Sequence, residues 1–135
     1  MIEAAKAASL SRGWVWTGRV MSGLVVAFLL FDGIIKLIRI QPVLDSFAEL
    51  GYPVRLAVPI GLIDLACAVL FAIPRTAVFG ALLMTALLGG AISTHVRIES
   101  PLFSHTLFGV YLGLIAWGGI YLREPRLRAL IPLRS

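Results

Sequence analysis

Four long apolar runs dominate the pattern of hydrophobic and polar positions along the chain. They extend over residues 14–38, 54–73, 76–94 and 102–122, and charged side chains are rare inside them. Each run approaches the roughly 20 residues that an α-helix needs to cross a hydrocarbon core about 30 Å thick. The alternation of apolar and polar positions that marks the strands of membrane β-barrels is missing. The pattern predicts an all-α, integral membrane four-helix bundle, with residues 1–135 forming a single transmembrane domain.

The segment between the first two runs, residues 39–53, has a different pattern. Pro42 suits the first turn of a helix, and Gly51 suits the position just after its end. The apolar and polar side chains between them separate onto two faces, Val43, Leu44, Phe47 and Leu50 on one and Asp45, Ser46 and Glu49 on the other. We therefore expect a short interfacial helix whose apolar face points toward the bundle or the lipid. This helix is expected to cover the polar layer that is described below.

Composition supports a membrane protein and excludes several other classes. Of the 135 residues, 59% are hydrophobic and 14% are charged, whereas soluble domains are roughly 45–50% apolar and about 25% charged. A chain this apolar is neither a soluble domain nor an intrinsically disordered segment. It has one cysteine, Cys67, so an intramolecular disulfide and a Cys-x-x-Cys redox motif are excluded.

The basic residues give the expected orientation. They lie mainly at the ends of the apolar runs rather than in one soluble patch, so the net charge of +5 does not indicate a nucleic-acid partner. With four spans, both termini share one side. That side carries eight basic residues, namely Lys6, Arg12, Arg19, Arg75, Arg123, Arg126, Arg128 and Arg134, and the other carries four, Lys36, Arg39, Arg55 and Arg97. Because cytoplasmic loops are enriched in Lys and Arg, we expect a multi-pass protein of the cytoplasmic (inner) membrane with both termini in the cytoplasm.

Five ionisable side chains interrupt the runs or stand at their ends on the side away from the termini. They are Asp32, Lys36, Asp64, His95 and His105. The first and third spans end on that side, and the second and fourth begin there, so all five are predicted to form one polar layer in the outer half of the bundle. A charge near the bilayer centre costs several kcal/mol, which makes each of them a candidate ligand-binding residue.

Lys36 has two candidate partners in this layer. Asp64 follows Arg55 by nine residues, roughly 13 Å along a helix, so it lies at a depth similar to that of Lys36 on the neighbouring span. Asp32 precedes Lys36 by four residues and therefore shares its helix face. We expect a direct or water-mediated contact between Lys36 and Asp64, with Asp32 as the rival partner.

The polar layer admits two interpretations. In the first, Asp64 and Lys36 hold the polar end of a small lipophilic ligand while His95 or His105 exchanges protons. In the second, the layer only fixes how the helices pack. No spacing of potential ligands supports a metal site. The sequence assigns no catalytic residues and leaves open whether the protein is an enzyme.

Several motifs resemble those of the DoxX-like family of small membrane proteins. The stretch FDGIIKL at 31–37 resembles the Gly-x-x-Lys-Leu signature that closes the family's first helix, and LGYP at 50–53 resembles its loop motif. GLID at 61–64 resembles the Gly-x-x-Glu step of the second helix, with Asp64 in place of the usual Glu. IPRT at 73–76, GGA at 89–91 with Thr94 and His95, and YLR at 121–123 resemble later landmarks, so that the resemblance covers residues 20–133.

This resemblance implies a four-helix bundle and suggests a setting for it. The family includes membrane subunits associated with quinone-reducing sulfur oxidation, and relatives are linked to redox-enzyme maturation or to receptor assembly. The first hypothesis is therefore a site for a quinone or another lipophile in a redox-associated role. The alternative is a non-catalytic membrane partner or assembly factor. The expected partners are the lipid bilayer and either a second copy of the chain or a membrane redox protein.

Overall fold

The structure is a computed structural model that describes residues 12–131. Lys6 and Arg134, which were counted above for the orientation, lie outside the described residues. The elements are α1 (Arg12–Leu37), α2 (Gln41–Leu50), a 3-10 turn (Val54–Leu56), α3 (Ala57–Ala72), α4 (Ala77–Arg97), a π-helical turn (Leu102–Thr106), α5 (Phe108–Arg123) and α6 (Pro125–Leu130). Residues 12–131 contain no strand, and the expected all-α bundle with a short helix between the first two spans is confirmed.

Four helical segments are long and apolar enough to cross a membrane. They are α1, the 3-10 turn with α3, α4, and the π-helical turn with α5. Helix α1 packs along α3 and α5, and α4 packs along the same two helices from the opposite side. The bundle has a loop end, where α1 and α4 finish, and a basic end, where α1 and α4 begin and α3 and α5 finish.

The core contains one or two large apolar side chains from each long helix. Val25 and Leu29 of α1, Phe71 of α3, Met84 of α4 and Ile120 of α5 are at most 1% exposed. Many large apolar side chains on the outer faces remain exposed, among them Trp14, Leu24, Phe79 and Leu114. Such a surface suits hydrocarbon and not water, in agreement with the four apolar spans.

Glycines bring α1 close to its two neighbours. A Cβ atom added at Gly33 would lie 2.9 Å from the carbonyl oxygen of Gly61 on α3, and one added at Gly18 would lie 2.5 Å from the carbonyl oxygen of Gly119 on α5. No side chain fits at these distances, because real Cβ atoms essentially never approach a backbone atom that closely. The two glycine contacts therefore set the spacing of α1 from α3 near the loop end and from α5 near the basic end.

Helix α2 folds over the loop end of the bundle. It starts with Pro42 in its first turn and ends at Gly51, whose φ of 79° is the left-handed conformation that glycine adopts without strain. Val43 and Phe47 are buried against Ala57 and the partly buried residues around it, while the opposite face of α2 is exposed. The apolar face therefore points toward the bundle.

Candidate functional site

Three of the five residues in the predicted polar layer meet at one place. Lys36 Nζ donates a hydrogen bond to Asp64 Oδ2 at 2.8 Å and also to Asp32 Oδ2. Both candidate partners of Lys36 are therefore engaged at once. The family's usual Glu is one methylene longer, but the shorter Asp64 still makes this contact.

The local sequence explains why these side chains converge. Asp32 and Lys36 are four residues apart on α1 and so share a face. Asp64 comes three residues after Gly61, and Lys36 comes three residues after Gly33. A Cβ at Gly61 would lie 2.9 Å from both the Gly33 oxygen and the Lys36 Cβ. The glycine contact thus lets α1 and α3 approach closely enough for an ammonium group on one helix to reach a carboxylate on the other.

The three side chains differ in exposure. The side chain of Asp64 is 3% exposed, that of Lys36 16% and that of Asp32 27%. Asp64 is thus buried inside the bundle, while Asp32 is partly exposed. The Asp32–Lys36–Asp64 cluster consequently has a buried carboxylate on α3 and a partly exposed carboxylate on α1.

The charges in this cluster do not balance when both acids are ionised. Two carboxylates then face one ammonium group, which leaves one negative charge inside a helix pair that crosses the membrane. An ammonium group has three N–H bonds, and among residues 12–131 Lys36 uses two of them, one for each carboxylate. The cluster therefore retains both a hydrogen-bond donor and surplus acceptor capacity.

The two histidines form a separate pair at the same end. The rings of His95 and His105 stand edge to face, with centroids 5.9 Å apart. Each Nδ1 atom shares a hydrogen bond with a serine hydroxyl, His95 with Ser100 at 2.9 Å and His105 with Ser104 at 2.7 Å. Within the described part of the chain, no hydrogen bond joins this pair to the Asp32–Lys36–Asp64 cluster.

His105 lies in the π-helical turn rather than in a regular helix. This turn, Leu102–Thr106, precedes α5, and the His105 side chain is exposed while His95 is half-buried at the end of α4. Between Arg12 and Ile131, no three His, Cys, Asp or Glu side chains are grouped as metal ligands would be. Cys67, one turn beyond Asp64, is buried in the core.

Two contacts at the loop end are not predicted by the sequence. The hydroxyl groups of Tyr52 and Thr94 share a hydrogen bond of 2.7 Å, and Arg97 donates to the carbonyl oxygen of Leu50. These two bonds join the end of α2 to α4. Tyr52 and Thr94 are 42 positions apart. Thr94 stands in the sequence only as a polar residue near the end of a span, and Tyr52 only as part of the loop motif, so neither pattern indicates that they meet.

Comparison with known proteins identifies a family but no individual relative. No curated protein and no solved structure matches the chain. The model of the DoxX-like family matches residues 20–119, which includes all of the Asp32–Lys36–Asp64 cluster and both histidines. The match covers well over half of the chain and agrees with the membrane bundle described above. The chain is a membrane protein that belongs to the DoxX-like family.

Proposed function

We propose that the Asp32–Lys36–Asp64 cluster binds the polar head of a small quinone-like lipophile and that the protein acts in a redox-associated role. The observation that carries this proposal is the graded exposure of one connected cluster, from the buried Asp64 to the partly exposed Asp32. An ionisable cluster inside a membrane span is costly to maintain, and such clusters commonly mark ligand or proton pathways.

The chemistry of the cluster suits a ring with oxygen atoms on opposite sides. The third N–H bond of Lys36 can donate to a quinone carbonyl oxygen, and the accessible Asp32 carboxylate can accept from a quinol hydroxyl. Reduction of a quinone to a quinol takes up two electrons and two protons. The electrons would come from a membrane redox partner. A carboxylate in the site would accept a proton from a quinol hydroxyl during oxidation, and a protonated carboxyl group would supply one during reduction. His95 and His105 form their pair at the same end of the bundle.

The proposal includes an orientation and a location. Within residues 12–131, the basic end carries more arginine than the loop end, and basic residues accumulate on the cytoplasmic side. The loop end, with the Asp32–Lys36–Asp64 cluster, would then lie in the outer half of the cytoplasmic membrane. A ligand would enter laterally from the lipid beside Asp32, and its redox partner would be a membrane protein.

The alternative is a non-catalytic membrane partner or assembly factor. A specific observation favours this alternative as well. Lys36 already contacts both carboxylates, and Asp64 is only 2% exposed. In that case the cluster fixes the register of α1 against α3. The work would then be done by the exposed face of α2, and the same cluster would bind nothing.

Photoaffinity labelling of the purified chain separates these two functions. A short-chain azidoquinone should label segments next to the cluster, around residues 31–37 and 57–65, and unlabelled quinone should compete. Asp32→Asn is tested with the same probe reduced to its quinol, because only the quinol has a hydroxyl group that can donate to Asp32. The variant keeps the contact between Lys36 and Asp64, so it should fold but lose at least about tenfold in labelling, which is the effect expected for one hydrogen bond to a charged group.

The matched control is Asp45→Asn, which removes an exposed carboxylate on α2 that contacts only Gln41 among residues 12–131. This variant should label like the original chain. Labelling that is absent, that spreads evenly over the lipid-facing surface, or that survives unchanged in Asp32→Asn would contradict the quinone site and favour the assembly function.

A further inference from the structure

A partly open cavity of about 240 Å³ lies at the basic end, far from the Asp32–Lys36–Asp64 cluster. It is bounded by the first turns of α1, the turn between α3 and α4, and the last turn of α5. Its volume exceeds that of the engineered cavity of about 150 Å³ that holds benzene in another protein. There is room for a polar group together with a short stretch of hydrocarbon.

Two arginines, Arg19 and Arg123, line this cavity. Arg19 stacks over the ring of Trp16 at 5.3 Å, and Arg123 lies 6.0 Å from the ring centroid of Phe71. Arg123 Nε also donates to Ser22 Oγ at 3.2 Å. These contacts fix the two side chains in place but leave most of their N–H donors available.

The cavity carries a net positive charge. Within residues 12–131, neither Arg19 nor Arg123 has a carboxylate at ion-pair distance. Glu124 also lines the cavity, but its side chain accepts a hydrogen bond from the backbone N–H of Arg126 at 3.2 Å and caps α6. Two guanidinium groups against one carboxylate leave one uncompensated positive charge.

The remaining walls are apolar. Val15, Ala77, Val78 and Ile120 contribute hydrocarbon surface from three different helices. A guanidinium group presents parallel N–H donors that match two oxygens of a phosphate. Two such groups above an apolar floor suit a phosphate that is attached to a hydrophobic remainder.

We propose that this cavity binds a phosphate group through Arg19 and Arg123. The phosphate can belong to the headgroup of an anionic phospholipid or to a free phosphate in the aqueous phase. The site is independent of the Asp32–Lys36–Asp64 cluster, because the two sets share no residue and lie at opposite ends of the bundle. In the sequence, Arg19 and Arg123 serve only as signals of membrane orientation. In this proposal they also bind a ligand.

The test uses the purified full chain in a neutral maltoside detergent and follows thermal unfolding by far-ultraviolet circular dichroism. Three probes are titrated separately: short-chain phosphatidylglycerol, short-chain phosphatidylcholine and inorganic phosphate, with sodium chloride matched for ionic strength. Phosphatidylglycerol should raise the Tm in a saturable way, while phosphatidylcholine should have a much weaker effect because its choline group cancels the charge. A rise in Tm with inorganic phosphate alone would support the site with a soluble source of the phosphate.

Two variants and one control locate the effect. Arg19→Gln and Arg123→Gln should each weaken the apparent affinity by about tenfold, as expected for the loss of one charge-assisted contact. Arg126→Gln removes the same charge at the same end, but its side chain is exposed and does not line the cavity. It should therefore change the affinity only slightly.

Arg19→Gln decides the outcome if Arg123→Gln fails to fold, because among the described residues the Arg19 side chain donates no hydrogen bond and is exposed. The proposal is overturned if neither phosphatidylglycerol nor phosphate raises the Tm, or if both phospholipids act equally. It is also overturned if Arg126→Gln weakens binding as much as Arg19→Gln, since that would indicate general attraction to a basic surface.

Discussion

Lys36 is the residue on which the polar cluster depends, because its ammonium group is the cation that both Asp32 and Asp64 contact. Removing a carboxylate leaves Lys36 with one partner, whereas removing Lys36 leaves two carboxylates facing each other. The two kinds of substitution are therefore not equivalent. Their difference measures how much of the stability of the bundle comes from the shared cation.

Substitution of Lys36 should be the most destabilising change in this cluster. We expect Lys36→Met to lower the free energy of unfolding by about 3–5 kcal/mol, the usual cost of breaking a buried ion pair. Asp64→Asn should cost less, because Lys36 keeps its contact with Asp32. The double variant should recover a large part of the loss. Unfolding in mixed micelles with increasing dodecyl sulfate, followed by circular dichroism, provides these values.

The double-mutant cycle has a clear control and a clear contrary result. Asp45→Asn, on the exposed face of α2, should stay within about 0.5 kcal/mol of the original chain. Strictly additive losses for Lys36→Met and Asp64→Asn would show that the two residues do not interact. A larger loss for Asp64→Asn than for Lys36→Met would contradict the role of Lys36 as the shared cation.

At the scale of elements, the contact between α1 and α3 depends on Gly33 and Gly61. A methyl group at Gly33 would meet the Gly61 carbonyl oxygen at 2.9 Å and the Leu65 side chain at 2.8 Å. We expect Gly33→Ala to push the helices apart and to cost about 1–3 kcal/mol, as overpacking usually does. The same unfolding titration measures this loss.

Gly23→Ala is the matched control, because Gly23 lies on the same helix and a Cβ there meets nothing within 4 Å. It should leave the stability unchanged or slightly increase it, since alanine restricts the unfolded chain more than glycine does. Equal losses for the two substitutions would mean that glycine is needed for flexibility of α1 rather than for the close contact with α3.

The attachment of α2 to the bundle is a second property of elements. Tyr52→Phe keeps the ring, which packs 6.2 Å from that of Phe47, but removes the hydroxyl group that contacts Thr94. We expect faster amide hydrogen exchange over residues 41–50 and a loss of about 1 kcal/mol. Tyr111→Phe is the control. Tyr111 on α5 is similarly exposed, and its hydroxyl group makes no hydrogen bond within residues 12–131. Unchanged exchange in Tyr52→Phe would exclude the tether.

The elements also show which features could be predicted from the sequence. Hydropathy was sufficient to predict the four spans, and Pro42 with Gly51 was sufficient to predict the two ends of α2, because each of these signals is local. The contact between Lys36 and Asp64 was accessible too, since depth can be counted from the span ends. The contact between Tyr52 and Thr94 and the cavity at Arg19 and Arg123 depend on how distant helices rotate about their axes, and no local pattern records that rotation.

At the scale of the whole molecule, the distribution of polar groups makes the two ends of the bundle chemically different. The loop end has the Asp32–Lys36–Asp64 cluster and the histidine pair, while the basic end has the cavity between Arg19 and Arg123. The cytoplasmic loops of membrane proteins are enriched in Lys and Arg, and the anionic lipids of the cytoplasmic leaflet attract such basic segments. The difference between the two ends agrees with the proposed orientation, in which the basic end faces the cytoplasm.

Single-cysteine labelling in intact cells tests this orientation. The native Cys67 is buried in the core and is replaced by alanine, and new cysteines are placed at the exposed Ser46 on α2 and the exposed Arg126 on α6. A membrane-impermeant maleimide should label Ser46→Cys in intact cells but Arg126→Cys only after the membrane is permeabilised, because positively charged loops are retained in the cytoplasm. The reverse pattern would place the Asp32–Lys36–Asp64 cluster on the cytoplasmic side, and a quinone would then have to exchange protons with the cytoplasm.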